Sequence, residues 1–100
     1  MLDADVTGFL RYSSTYMHVN ALGRDYEETF IRDLTRVPPT PEHQSFRRGF
    51  AKARLGQLSP EAYERETGWY FDDDAEFHTH LARLWQKFYG DADPRDSLTG

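Results

Sequence analysis

Along most of this chain apolar residues return every third or fourth position, the period that gathers side chains on one face of an α-helix. From Asp3 to Val19 those positions are Val6, Phe9, Leu10, Tyr16 and Met17, and Asp3 stands where an N-cap belongs. Gly8 and the run Tyr12-Ser13-Ser14-Thr15-Tyr16 are poor helix formers, so an extended piece is the alternative there, and Asn20 to Gly23 supplies a stop. From Arg24 to Arg36, Tyr26, Phe30, Ile31 and Leu34 make one stripe with Glu27, Glu28 and Asp33 off it. Val37-Pro38-Pro39-Thr40 ends this second helix, because proline has no amide donor and disfavours helical geometry in the residue before it.

Thr40-Pro41-Glu42 opens a third helix, with a hydroxyl for the free amides, proline in the first turn and a carboxylate at the positive end of the dipole. Phe46, Phe50, Ala53 and Leu55 form its apolar stripe, Gly49 weakens its middle, and Gly56 is placed to close it. Leu58-Ser59-Pro60-Glu61 repeats the start chemistry for a short fourth helix that packs through Ala62 and Tyr63 and stops at Gly68. Trp69, Tyr70 and Phe71 follow, too apolar to be left in water and expected to be packed down. Asp73 and Glu76 have capping-box spacing, so the fifth helix starts there; Phe77, Leu81, Leu84, Trp85 and Phe88 give the clearest amphipathic pattern of the chain before Gly90.

These patterns predict an all-α protein: a small bundle of four to five short helices around a single core, residues 1–90 forming one domain and 91–100 a disordered acidic tail with Pro94 and little apolar beyond Leu98. The expected core is Phe9, Phe30, Leu34, Phe46, Phe50, Phe77, Leu81, Leu84, Trp85 and Phe88, with Trp85 as its anchor. Fifteen per cent of the 100 residues are aromatic, so few aliphatics are needed to fill a core of this size.

The absence of cysteine removes disulfides and thiolate metal sites and fits a reducing compartment. With no apolar stretch of membrane-spanning length and no signal-peptide pattern at Met1 to Val6, the expected location is the cytoplasm, with no membrane partner. The net charge of −5 disfavours nonspecific attraction to phosphate and permits a basic partner. It is unevenly spread, at −2 over residues 1–36, +3 over 37–58 and −6 over 59–100. A basic middle between acidic flanks is read first as internal complementarity.

Three groups of residues carry candidate chemistry. Arg47, Arg48, Lys52 and Arg54 interleave with Phe46 and Phe50 as in a nucleic-acid helix, yet the two phenylalanines are four apart and face the core together, leaving the cations as a solvated face that can pair with the acidic flanks. Glu76 and His80 are also four apart and could hold a metal, whereas His78 points about 200 degrees away from Glu76. The bland alternative has the acids capping the fifth helix and His80 on a solvated flank. Asp72, Asp73, Asp74 and Glu76, with Trp69 and Tyr70 beside them, could instead meet a basic protein, the aromatics supplying hot-spot area.

No serine lies in a nucleophile elbow, no glycine-rich loop suits phosphate, and His18, His43, His78 and His80 fall in separate segments or on diverging faces, so no catalytic residue and no cofactor is assigned. Leu55-Gly56-Gln57-Leu58-Ser59-Pro60-Glu61-Ala62-Tyr63-Glu64 resembles the helix, glycine turn, helix unit of short helical adaptor domains and some small bacterial immunity proteins. The resemblance covers ten residues and brings over no functional residue. The expected function is a noncatalytic interaction or regulatory module, such as an acidic inhibitor or immunity-type binder of a basic partner. The alternatives are a nucleic-acid-binding regulator using the basic third helix and a small metal-binding protein; homo-oligomerisation through surplus aromatics is a further option.

Overall fold

The computed structural model describes residues 3–18, 26–35 and 40–98. Among them lie five α-helices and one short 3-10 helix: α1 Ala4–Met17, α2 Tyr26–Leu34, α3 Pro41–Arg54, α4 Pro60–Thr67, α5 Asp74–Tyr89, and the 3-10 helix Pro94–Leu98. The stop expected at residues 20–23 and the proline linker at 37–39 lie outside the described residues.

The starts of α1, α3, α4 and α5 are each made by a short polar side chain taking amides that the helix itself leaves free. Asp3 accepts from the Asp5 backbone at 2.7 Å, Thr40 from His43 at 3.1 Å and Ser59 from Ala62 at 3.2 Å. Asp73 accepts from the Glu76 amide at 2.8 Å, and the Glu76 carboxylate reaches back to the Asp72 amide at 2.9 Å. The capping box is thus reciprocal, with its return arm one residue before the cap. Gly68, at φ 80°, ends α4 in the left-handed region that residues with a Cβ rarely adopt.

Residues 12–16, for which an extended conformation was the alternative, are helical. Tertiary packing outweighs weak propensity there: the Tyr16 ring stacks on Phe30 at 4.9 Å, Tyr12 meets Phe46 edge-on at 5.8 Å, and Ser13 is fully buried between them on the same helix.

α1 lies along α3, and α2, α4, α5 and the 3-10 helix are arranged about that pair. All ten residues expected in the core are buried. Phe50 is central: Phe9 stacks on it at 4.7 Å, while Trp85 and Phe88 meet it edge-on at 5.1 and 5.6 Å. Such offset and edge contacts suit the ring quadrupole better than a face-to-face sandwich. Val6, Leu10, Met17, Ala51, Ala53, Leu58 and Tyr63 complete the apolar interior.

Leu55 departs from its expected place on the buried stripe of α3. It is 43% exposed, standing at the C-cap after the last turn of α3, where the helical repeat that sets the stripe has ended. Within the segment read as a tail, the 3-10 helix packs on α3 and the Trp85 indole N–H donates to the Ala92 carbonyl at 2.8 Å. Leu98 is half-buried against the core.

Candidate interaction surface

The basic residues of α3 do not form one solvated face. Arg48 and Lys52 lie one turn apart on the side toward α1, where the Asp5 carboxylate receives them both, Arg48 Nε at 3.1 Å and Lys52 Nζ at 3.0 Å. Ser45 donates its hydroxyl to the same carboxylate at 2.7 Å, and Lys52 also reaches Asp3 at 2.9 Å. Partial burial pushes the Asp5 carboxyl up, but Ser45, Arg48 and Lys52 outweigh it and hold its pKa down at about 2. Arg47 lies over the Tyr89 ring at 4.5 Å, a cation–π contact between α3 and α5. Arg54 stays at the end of α3, lining a cleft with Trp85, Gln86 and Asp91. Of the basic middle of the chain, Arg48 and Lys52 are therefore complemented from within through α1, the part of the expected internal pairing that the described contacts show.

The Glu76 and His80 side chains are not brought together. Glu76 is exposed and bonded to the Asp72 amide, whereas His80 is buried with its Nε2 hydrogen-bonded to the Tyr63 hydroxyl at 3.1 Å. His80 is thus not on a solvated flank. The sequence signal for this was its spacing, since position 80 lies three beyond Phe77 and four before Leu84 on the apolar face of α5. Burial, reinforced by Arg83, lowers its pKa to about 4 against an opposing pull from Glu27, so the imidazole is neutral. Among the described residues no group of three or more histidines, aspartates or glutamates is arranged to hold a metal ion.

Trp69, Tyr70 and Phe71 part company. The connection from α4 to α5 is irregular rather than helical, so its consecutive side chains need not share one face. Trp69 turns inward, its indole N–H donating to the Met17 carbonyl at 2.5 Å and its ring stacking on His80 at 5.5 Å. Phe71 also turns inward, onto Phe77 and His80. Tyr70 is 67% exposed.

Around Tyr70 in sequence, Asp72, Asp73, Asp74 and Glu76 are all exposed, and no ion pair to any of them occurs among the described residues. The carboxylates of Asp73 and Glu76 cap α5, and Asp74 occupies its first turn, so the helix dipole stabilises a density of negative charge that would otherwise repel itself. Asp74 and His78 also line a cleft with Leu58, Ser59, Pro60 and Glu61 from the α3–α4 connection and the start of α4. The acidic surface thereby continues from α5 onto α4.

No helix of the structure, among the described residues, is long and apolar enough to cross a membrane. Compared with protein-family models, curated proteins and solved structures, the chain finds no match.

Proposed function

We propose that this chain is a noncatalytic protein-binding module whose contact surface is Tyr70 with Asp72, Asp73, Asp74 and Glu76, and whose partner presents a basic surface. The observation that carries the reading is an asymmetry: Arg48 and Lys52 of α3 are answered by α1 carboxylates, while the acids at the start of α5 have no ion pair among the described residues and follow an exposed tyrosine in the chain. An exposed aromatic followed in the chain by exposed charge of one sign has the composition of an interface anchor with an electrostatic rim. The cleft lined by Glu61, Asp74 and His78 offers a lysine or arginine side chain a place to enter. Trp69 belongs to the support of this surface, since its ring and its N–H are both engaged inside the domain.

The test is capture by the tagged protein, compared between wild type and a variant carrying Asp72→Asn, Asp73→Asn, Asp74→Asn and Glu76→Gln. Asparagine still caps a helix and glutamine can still complete the capping box, so the variant removes charge and keeps the fold. A partner held by the wild type at low salt, weakened by added salt and lost by the variant supports the proposal. Equal capture by both proteins discards it.

A further inference from the structure

The imidazole of His80 is a seat that the connection between α4 and α5 shares between two of its aromatic side chains. Trp69 stacks on one side of it with an interplanar angle of 29°, and the Phe71 ring lies 5.1 Å away. Tyr63 from α4 meets it both as a ring at 5.7 Å and through the hydrogen bond to Nε2. The other ties of the connection are the Trp69 amide to Thr67, the Trp69 indole to Met17, and the Phe71 ring against Phe77 at 5.4 Å and Tyr63 at 6.0 Å, so His80 is the one ring that meets both Trp69 and Phe71. A histidine buried this way favours its neutral form, because a proton on the ring places a charge in a desolvated site, a cost larger than the cation–π attraction that the stacked rings return.

We propose that His80 is an acid-sensitive latch: neutral, it holds residues 69–71 on the body of the domain; protonated, it releases them together with the Tyr70 they carry. The charged and titratable groups around the ring fit this behaviour. Tyr63 on α4 is buried, and desolvation together with Tyr26 keeps its phenol protonated, so it supplies no negative charge to an imidazolium. Arg83, on α5 itself, repels one. Glu27 on α2 attracts one, but its carboxylate is engaged by Lys87 at 2.7 Å and Arg83 at 3.7 Å. Released into water, the ring returns to its ordinary affinity for protons, and opening gains tenfold per pH unit between 6.5 and 4. The latch stands without any partner. If the partner surface proposed above is right, acid loosens that same surface.

Amide hydrogen exchange on the full chain, corrected for the intrinsic effect of pH on exchange chemistry, reads the latch directly. From about pH 7 to about pH 5 the amides of residues 69–72 should gain roughly twentyfold in opening while staying far less protected than those of α1, α3 and the middle of α5, which share the gain only where they exchange by unfolding that also frees His80. In His80→Gln, whose amide does not titrate, the gain should vanish. Tryptophan fluorescence adds a second signature, since an imidazolium stacked on Trp69 or a freed Trp69 both alter its emission, and Trp69→Phe identifies that part of the signal. Equal pH response in His80→Gln, no response in the wild type, or loss of protection in the connection and helices together in one step overturns the proposal. Should His80→Gln not fold, the wild-type imidazole resonances carry the test. His80 titrating below its ordinary value in step with Trp69 supports the latch, and His80 titrating normally while Trp69 is unmoved overturns it.

Discussion

The carbonyl oxygen of Asp5 occupies the space that a Cβ on residue 49 would need: built on the Gly49 backbone, such an atom lies 2.0 Å from Asp5 O. α1 and α3 touch backbone to backbone at this point, and this contact brings the Asp5 side chain within reach of Ser45, Arg48 and Lys52. Gly49→Ala should therefore destabilise the domain despite a helix-propensity gain of about 1 kcal/mol, because the obstacle is backbone and cannot swing aside. Gly8, on the same interface, is the counterexample. A Cβ there meets only Ser45 Oγ at 3.7 Å, ordinary contact, so Gly8→Ala should stabilise by about 0.5–1 kcal/mol. Urea unfolding of the two variants gives opposite shifts in midpoint; equal signs would mean that the helices do not cross at Gly49.

This pair also shows where sequence reasoning stops. Helix starts were legible because a cap is a contact between residues three apart: Asp3, Thr40, Ser59 and Asp73 all act as their local sequence predicts. The ten core residues were legible because periodicity alone places them. Gly49 read as a weak point in α3, since its reason lies on a helix 44 positions earlier in the chain. The bond between Tyr63 and His80 needs α4 folded back on α5, which no spacing announces, although the position of His80 on an apolar stripe was visible. The three adjacent aromatics 69–71 share one composition, and only the path of the connection separates exposed Tyr70 from its inward neighbours.

Acid should destabilise the fold in two separable steps. The folded pKa of His80 is about 4 against an ordinary 6.5, so the unfolded chain binds more protons between these values and stability falls as pH falls through that window, by about 3 kcal/mol in all. Asp5 acts lower. Its folded pKa of about 2 lies below the ordinary 3.8, so the stability it contributes is present above 3.8 and is lost as pH falls toward 2. Denaturant midpoints measured across pH should show the first loss abolished by His80→Gln and the second by Asp5→Asn, the latter already less stable at neutral pH by about 1–3 kcal/mol. A profile unchanged in either variant would remove that residue from the account.

Trp85 joins the aromatic core to the C-terminal segment, and two substitutions separate those roles. Trp85→Ala removes a side chain only 2% exposed and should cost about 3–5 kcal/mol, most of the stability expected of a domain this size. Trp85→Phe keeps a ring against Phe50 but loses the N–H that donates to Ala92. Its thermal midpoint should fall modestly, and amide exchange in residues 92–98 should quicken more than exchange in α3. Uniform quickening would show that the segment is held by other contacts.

Neighbouring aromatics on the connection should respond in opposite ways. Tyr70→Ala removes an exposed ring, so its effect on stability should stay within about 0.5 kcal/mol, while the affinity for a basic partner falls by about tenfold or more if Tyr70 is the anchor of that surface. Trp69→Ala removes the stack on His80 and the bond to Met17, so stability should fall by about 2–4 kcal/mol. It would disturb binding only through the misplaced connection, and Trp69→Phe, which restores a ring, should recover most of that binding. Because the two positions are adjacent, a general loosening of the segment would affect both measurements at both sites. A Tyr70→Ala protein that unfolds with the wild-type midpoint and has lost its partner distinguishes a surface made for contact from one that merely covers the core.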